Sequence, residues 1–235
     1  MKTHKILTTA ALALAAQIGI AGAATTLIDY DDGTLGGGHD AAVLNGGMES
    51  FTPAEALLDD WVPTGAATPL TSATGHASPA AAGGGRNTAI GGPGAAPTRY
   101  AGLDTGYTIA LGDQFTASYW WKDVFRWNDG NDNLDMSLFY TDTNAIGGTR
   151  TVLESFTSAL SGGNNAYQQE TFGLTTALTD VGAVGKTLFV DFQGLTGNGF
   201  ARLDGVYLDV TSVPEPSTGA LLGLGGLALI LRRRK

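Results

Sequence analysis

The 235-residue sequence predicts an all-β protein with a single jelly-roll-like β-sandwich, flanked by an N-terminal signal helix and a short C-terminal apolar helix. Three observations carry that reading. The 35 glycines and the Asn- and Asp-rich connections mark a turn-dense chain. Short stretches of β-branched and aromatic residues recur between those turns. No amphipathic run of helical period and useful length interrupts them. Nine strands are expected, at residues 26–30, 42–44, 105–111, 114–127, 134–141, 150–157, 167–174, 187–193 and 200–210. Nine strands suit one domain of two packed sheets, spanning 24–212.

The first strand follows a leader. Lys2 and Lys5 precede an apolar run from Ile6 to Ile20 and the small-residue site Ala21-Gly22-Ala23, so residues 1–23 read as a secretory signal peptide with Ala24 as the mature N-terminus. Between 63 and 97 the chain is mostly Ala, Gly, Thr, Ser and Pro, which predicts a long irregular surface excursion. In the central pair of strands Phe115, Ala117, Tyr119, Trp121, Phe125 and Trp127 alternate onto one face, as do Leu134, Met136, Leu138 and Tyr140. With residues 128–133 as the turn and Trp127 opposite Leu134, the two would form a hairpin whose apolar sets point the same way. That register places Trp120 on the polar face with Thr116, Ser118, Lys122 and Arg126, and Phe139 near it across the strands. A large ring in polar company is either a sugar-stacking platform or a side chain buried under a loop.

Composition narrows the function classes. Net charge is −9, but four basic residues end the chain and two open it, so residues 24–216 hold seven basic against 22 acidic residues, a net −15. Such a body repels polyphosphate, which argues against nucleic acid and anionic membranes as partners. With no cysteine, disulfides, thiolate metal sites and thiol nucleophiles are excluded. His39 and His76 lie in Gly/Ala-rich stretches without a second ligand nearby. No nucleophile elbow, zinc-helix motif or phosphate loop occurs. The alternating oxygens of Asp129, Asn131, Asn133 and Asp135 suit a hard cation such as calcium, although the sixth and twelfth positions of an EF-hand loop are Leu134 and Tyr140. The same residues also make ordinary turns. Asp29, Asp31, Asp32 and Asp40 form a second acidic group. No cofactor is required.

The C-terminal end is tripartite. Pro214, Glu215 and Pro216 block helix and strand pairing and stay extended. An apolar run over 217–231 follows, about 22 Å long as a helix against a hydrocarbon core of about 30 Å. Arg232, Arg233, Arg234 and Lys235 then form a basic stop that stays cytoplasmic. This arrangement resembles a PEP-CTERM sorting signal, the substrate tag of exosortase. The resemblance implies a Gram-negative bacterium that makes exopolysaccharide, export by the secretion machinery, transient inner-membrane anchoring through the C-terminal helix, cleavage near Pro214-Glu215-Pro216, and display at the cell surface or in the matrix.

The body is also similar, over two short motifs, to carbohydrate-binding-module-like jelly rolls. Asn45-Gly46-Gly47-Met48-Glu49-Ser50-Phe51 with Trp61 looks like their opening, and Leu203-Asp204-Gly205-Val206-Tyr207-Leu208 like their closing strand. In that family the opening Asn and Glu and the closing Asp are structural or calcium-linked, while ligand contacts vary. The sequence thus reads as an exported, non-enzymatic structural protein of the cell surface or biofilm matrix. The alternatives are a carbohydrate-binding module that stacks exopolysaccharide on Trp120 and Trp61, and a secreted hydrolase with two converging carboxylates.

Overall fold

The computed structural model describes residues 22–30, 44–48, 51–52, 57–64, 70, 86–91, 100–125, 133–159, 166–174, 178–194 and 200–212. Outside them lie most of the leader, Asp129, Asn131, Pro214, Glu215, Pro216, the apolar run 217–231 and the basic end. Among the described residues no helix is long and apolar enough to cross a membrane. The strands in chain order are β1 (Ala24–Asp29), β2 (Leu44–Asn45), β3 (Phe51–Thr52), β4 (Leu57–Leu58), β5 (Trp61–Pro63), β6 (Thr88–Gly91) and β7 (Ala101–Thr108). They continue with β8 (Gln114–Phe125), β9 (Asn133–Thr141), β10 (Arg150–Ala159), β11 (Gln168–Phe172), β12 (Thr187–Gly194) and β13 (Phe200–Thr211).

A six-stranded sheet runs β11-β8-β13-β1-β2. In it β8 pairs with β13 along the strand's length, and β1 and β6 share the other edge of β13, at its C-terminal and N-terminal halves. The opposing sheet has five strands in the order β10-β9-β12-β7-β5, and β3 and β4 form a separate small pair. Among the described residues only β1 and β2 pair in parallel; the other ladders are antiparallel.

Alternation explains the core. Phe115, Ala117, Tyr119 and Trp121 of β8 are fully buried and meet Leu134, Met136 and Leu138 of β9 and Leu188, Val190 and Phe192 of β12. Tyr119 and Phe192 make an edge contact, ring centroids 5.0 Å apart. The buried Tyr119 hydroxyl is satisfied by Ser158 Oγ at 3.0 Å. Burial, countered by that bond and reinforced by Glu170 and Asp135, pushes its pKa far above the ordinary tyrosine value.

The expected hairpin does not form. β8 belongs to the six-stranded sheet and β9 to the five-stranded one, so the two strands are not paired with each other. The face assignment holds for Phe115 to Trp121 and for Leu134 to Leu138, while Trp127 lies outside the described residues; alternation sets which side chains point inward, and inward holds for either partner. The partner is set by non-local pairing: β13, some 80 residues on, offers β8 a ladder of equal length. One consequence is that Phe139 lies on the outer face of the five-stranded sheet, the opposite side of the sandwich from Trp120.

The 63–97 stretch also differs from expectation. Thr88, Ala89, Ile90 and Gly91 are buried as β6, Asn87 is wholly buried, and Leu70 is buried as well. β6 pairs antiparallel with the N-terminal half of β13 and inserts Ile90 into the core, so part of this stretch is a buried strand and not a surface loop.

Candidate functional site

The two sequence motifs of the opening and the closing strand meet. Asn45 ends β2 and Gly46 follows it, and the Val206 amide donates to the Gly46 carbonyl at 3.0 Å. A Cβ on Gly46 would lie 2.0 Å from the Val206 carbonyl oxygen, so only glycine fits. Gly205 takes a left-handed φ of 57° where β13 bulges between Asp204 and Tyr207. Asp204 Oδ1 accepts the Gly205 amide at 2.7 Å.

The same junction decides Trp61. Its indole N–H donates to the Asn45 carbonyl at 2.7 Å, its ring packs on Phe192 at 5.9 Å, and it is 4% exposed. Asn45 is held in turn by its amide to Asp60 Oδ2 at 3.1 Å and its side-chain N–H to the Asp59 carbonyl at 3.3 Å. Trp61 is therefore a core strut and is corrected as a stacking candidate, since neither of its ring faces is open to a sugar. The Asn…Trp spacing signals a structural clip.

Trp120 sits differently. It is half-buried on the outer face of the six-stranded sheet, directly opposite Gln169 of β11 and Asp204 of β13. The next row on that face is Thr171, Ser118 and Tyr207. Gln169, Thr171 and Thr116 are exposed, whereas Tyr207, Tyr30 and Tyr167 are half-buried like Trp120. The Tyr30 and Tyr207 rings lie 6.0 Å apart. Tyr207 donates to Asp209 Oδ2 at 2.9 Å, 3.4 Å from the Thr26 hydroxyl. The Thr26 contact favours the phenolate, but burial and the hydrogen bond and charge of Asp209 outweigh it and raise the Tyr207 pKa. The Lys122 ammonium lies 4.8 Å from the centre of the Tyr167 ring, a cation–π contact at the edge of the same face. Apolar ring faces bordered by amide, hydroxyl and carboxylate groups are the chemistry that holds a pyranose: C–H groups against the ring, hydroxyls to the rim.

The outer face of the five-stranded sheet is closed by its own side chains. Phe139 and Phe189 stack at 5.4 Å and are buried, and the Arg150 guanidinium covers Phe139 at 4.3 Å. Arg150 Nη1 and Gln193 Nε2 both donate to Asp191 Oδ2, and Asp191 is 1% exposed. Its second oxygen, Oδ1, has no hydrogen-bond partner among the described residues. Burial raises the Asp191 pKa and Asp135 adds to it, although the Arg150 charge and the Arg150 and Gln193 hydrogen bonds pull the other way. Over Gly102, a neighbour of Asp191 on β7, Thr64 and Ile146 fill the space a side chain would need.

Of the calcium candidates, Asn133 and Asp135 are described. Asp135 Oδ2 accepts from Ser137 Oγ at 2.8 Å and Oδ1 from Thr157 Oγ1 at 2.9 Å, so both oxygens already serve a hydroxyl ladder on β9 and β10. Among the described residues no three His, Asp or Glu side chains converge on a metal position. No local pattern marks Asp191 or Arg150, which are 41 residues apart and meet only through the β10-β9-β12 order.

The fold and the tail together define an exported protein with an all-β, jelly-roll-like sandwich and a C-terminal membrane-anchoring sorting signal. Residues 212–235 match the PEP-CTERM protein-sorting motif, which implies exosortase processing. No curated protein is similar to the chain in sequence. Among solved structures, the CBM22-1 xylan-binding domain of Paenibacillus barcinonensis Xyn10C aligns with 83% of this chain and 99% of its own, at 12% identity and TM-score 0.50. A cyclase from Fischerella sp. TAU aligns with 82% of this chain and 100% of its own, at 14% identity and TM-score 0.51. The CBM22-1 and GH10 modules of a Clostridium thermocellum xylanase, complexed with xylohexaose, align at 15% identity and TM-score 0.44 over 66% of this chain, which spans 27% of that one. A polysaccharide binder and a cyclase thus share one sandwich, so the likeness establishes the fold and function must come from the site.

Proposed function

We propose that this protein is a non-catalytic component of the surface or exopolysaccharide matrix of a Gram-negative bacterium, and that the outer face of the six-stranded sheet binds polysaccharide. In this reading residues 1–23 are a leader, 24–212 the working domain and 213–235 a tail that is anchored briefly and then processed by exosortase. The observation that carries the binding role is Trp120, half-buried on a face where Gln169, Thr171 and Thr116 are exposed, with the wholly buried Asp204 beside it on β13. The xylan-binding neighbour supports the choice of ligand class, as does an acidic body suited to life among hydrated glycans and divalent cations. Calcium would act by bridging the acidic surface to anionic polysaccharide, with no resident ion needed for the fold.

Affinity electrophoresis of the secreted, processed protein in gels containing the host's own exopolysaccharide, with and without calcium, tests this. Saturable retardation that Trp120→Ala removes, at unchanged melting temperature to within a few degrees, is expected. Absence of retardation in both conditions would reject binding and leave a purely structural matrix role.

A further inference from the structure

The point where the chain leaves the sandwich is tied down by side chains. β13 ends at Thr211, and Ser212 is the first residue of the sorting motif. Ser212 Oγ donates to Asp113 Oδ1 at 2.9 Å. Asp113 Oδ2 accepts from the Tyr107 hydroxyl at 2.9 Å and from the Ala110 amide at 2.7 Å, and the Tyr107 and Ser212 hydroxyls lie 3.1 Å apart. Asp113 is wholly buried. One buried carboxylate thus joins the end of β7, the turn before β8 and the last residue of the body.

A buried carboxylate is expensive to keep, and three donors are the condition for keeping it. The backbone adds one more hold: the Ser212 carbonyl accepts from the Gly22 amide at 3.1 Å. Gly22 belongs to the expected leader, so cleavage after Ala23 removes that bond and leaves the Asp113 knot to hold Ser212. Strand ends held only by ladder bonds open readily, and Pro214 cannot extend the ladder.

We propose that Tyr107, Asp113 and Ser212 form an exit clamp that positions the sorting tail for its processing enzyme. With Ser212 fixed, Pro216 can stand no more than about 14 Å from the folded body, and the enzyme meets the Pro-Glu-Pro segment at one distance. With the clamp open, each β13 residue that frays adds about 3.4 Å of slack and becomes a cleavable site. The three residues act through the position of the tail and take no part in the cleavage itself.

The test expresses the full chain and its variants in an exosortase-competent host. The mature C-termini are read by mass spectrometry, and hydrogen exchange of residues 208–212 is followed in the purified product. Ser212→Ala is expected to speed exchange of those amides about tenfold or more and to replace a single C-terminus by a ragged set reaching into β13. Ser212→Thr, which keeps the hydroxyl, should restore both. Tyr107→Phe keeps the ring and removes one donor, so it should give the same pattern more weakly if Ser212→Ala fails to accumulate. C-termini identical to the parent in both variants would overturn the proposal whatever the exchange rates are. Polysaccharide retardation should be unchanged throughout, which separates this result from the binding role of Trp120.

Discussion

The two outer faces of the sandwich carry similar residue types and use them in opposite ways. On the five-stranded sheet the aromatic pair Phe139 and Phe189 is capped by Arg150, and Asp191 beside it is sealed from water. On the six-stranded sheet Trp120, Tyr207, Tyr30 and Tyr167 stay half-exposed among polar neighbours. The difference lies in who satisfies whom. Arg150 spends its guanidinium on an internal carboxylate, so the first face is finished by folding. Trp120 keeps ring surface and exposed polar neighbours that folding leaves uncovered, and these are the groups the proposed polysaccharide would cover.

Breaking the closed face should have the largest effect. Arg150→Ala leaves Asp191 buried without its cation, and urea unfolding should show a loss of about 3 kcal/mol, while polysaccharide retardation of the folded fraction stays intact. Next comes Trp120→Ala, which should cost about 1 kcal/mol for half-burial yet abolish retardation. A stability loss several times larger, with a collapsed protein, would show that Trp120 belongs to the core and that both faces are closed.

A smaller effect sharpens the electrostatic side. Because folding raises the Asp191 pKa above 3.8, the folded state holds this proton more tightly than the unfolded chain. The associated stability is therefore present below that value and is lost as pH rises through the raised pKa. Asp191→Asn should flatten that part of the stability profile when urea midpoints are compared from about pH 3 to pH 7. A profile as steep as the parent's would assign the slope to other carboxylates. Smallest of all, Gln169→Ala on the exposed rim should change stability by less than about 0.5 kcal/mol and weaken retardation about fivefold through one lost hydrogen bond.

Much of this was legible along the chain, but unevenly. Inward faces could be read from Phe115 to Trp121 and from Leu134 to Leu138 because a period of two is a local property. The partner of β8 could not, since Asn128 to Asn133 looks like a hairpin turn whether the chain doubles back or crosses to the other sheet. Trp61 and Trp120 were indistinguishable as letters; one is held by the Asn45 carbonyl and Phe192 inside, the other stands between Gln169 and Asp204 outside. β6 is not legible along the chain because Thr-Ala-Ile-Gly holds a single large apolar residue, Ile90, amid a Gly- and Ala-rich stretch; its burial comes from pairing with β13, more than 100 residues on. The exit clamp was equally hidden, its members being 99 and 105 residues from Ser212.

What the sequence determined by itself was everything carried by local pattern. That covers the all-β class, the inward faces, the acidic body, the absence of thiol chemistry and the Pro-Glu-Pro, apolar and basic order of the sorting tail, which must be readable as a linear string to be recognised. Tertiary structure decided the strand partners, which tryptophan is exposed, and the meetings of Arg150 with Asp191 and of Asp113 with Ser212. Those depend on the order of strands in two sheets, where long-range pairing brings together side chains that no local spacing relates.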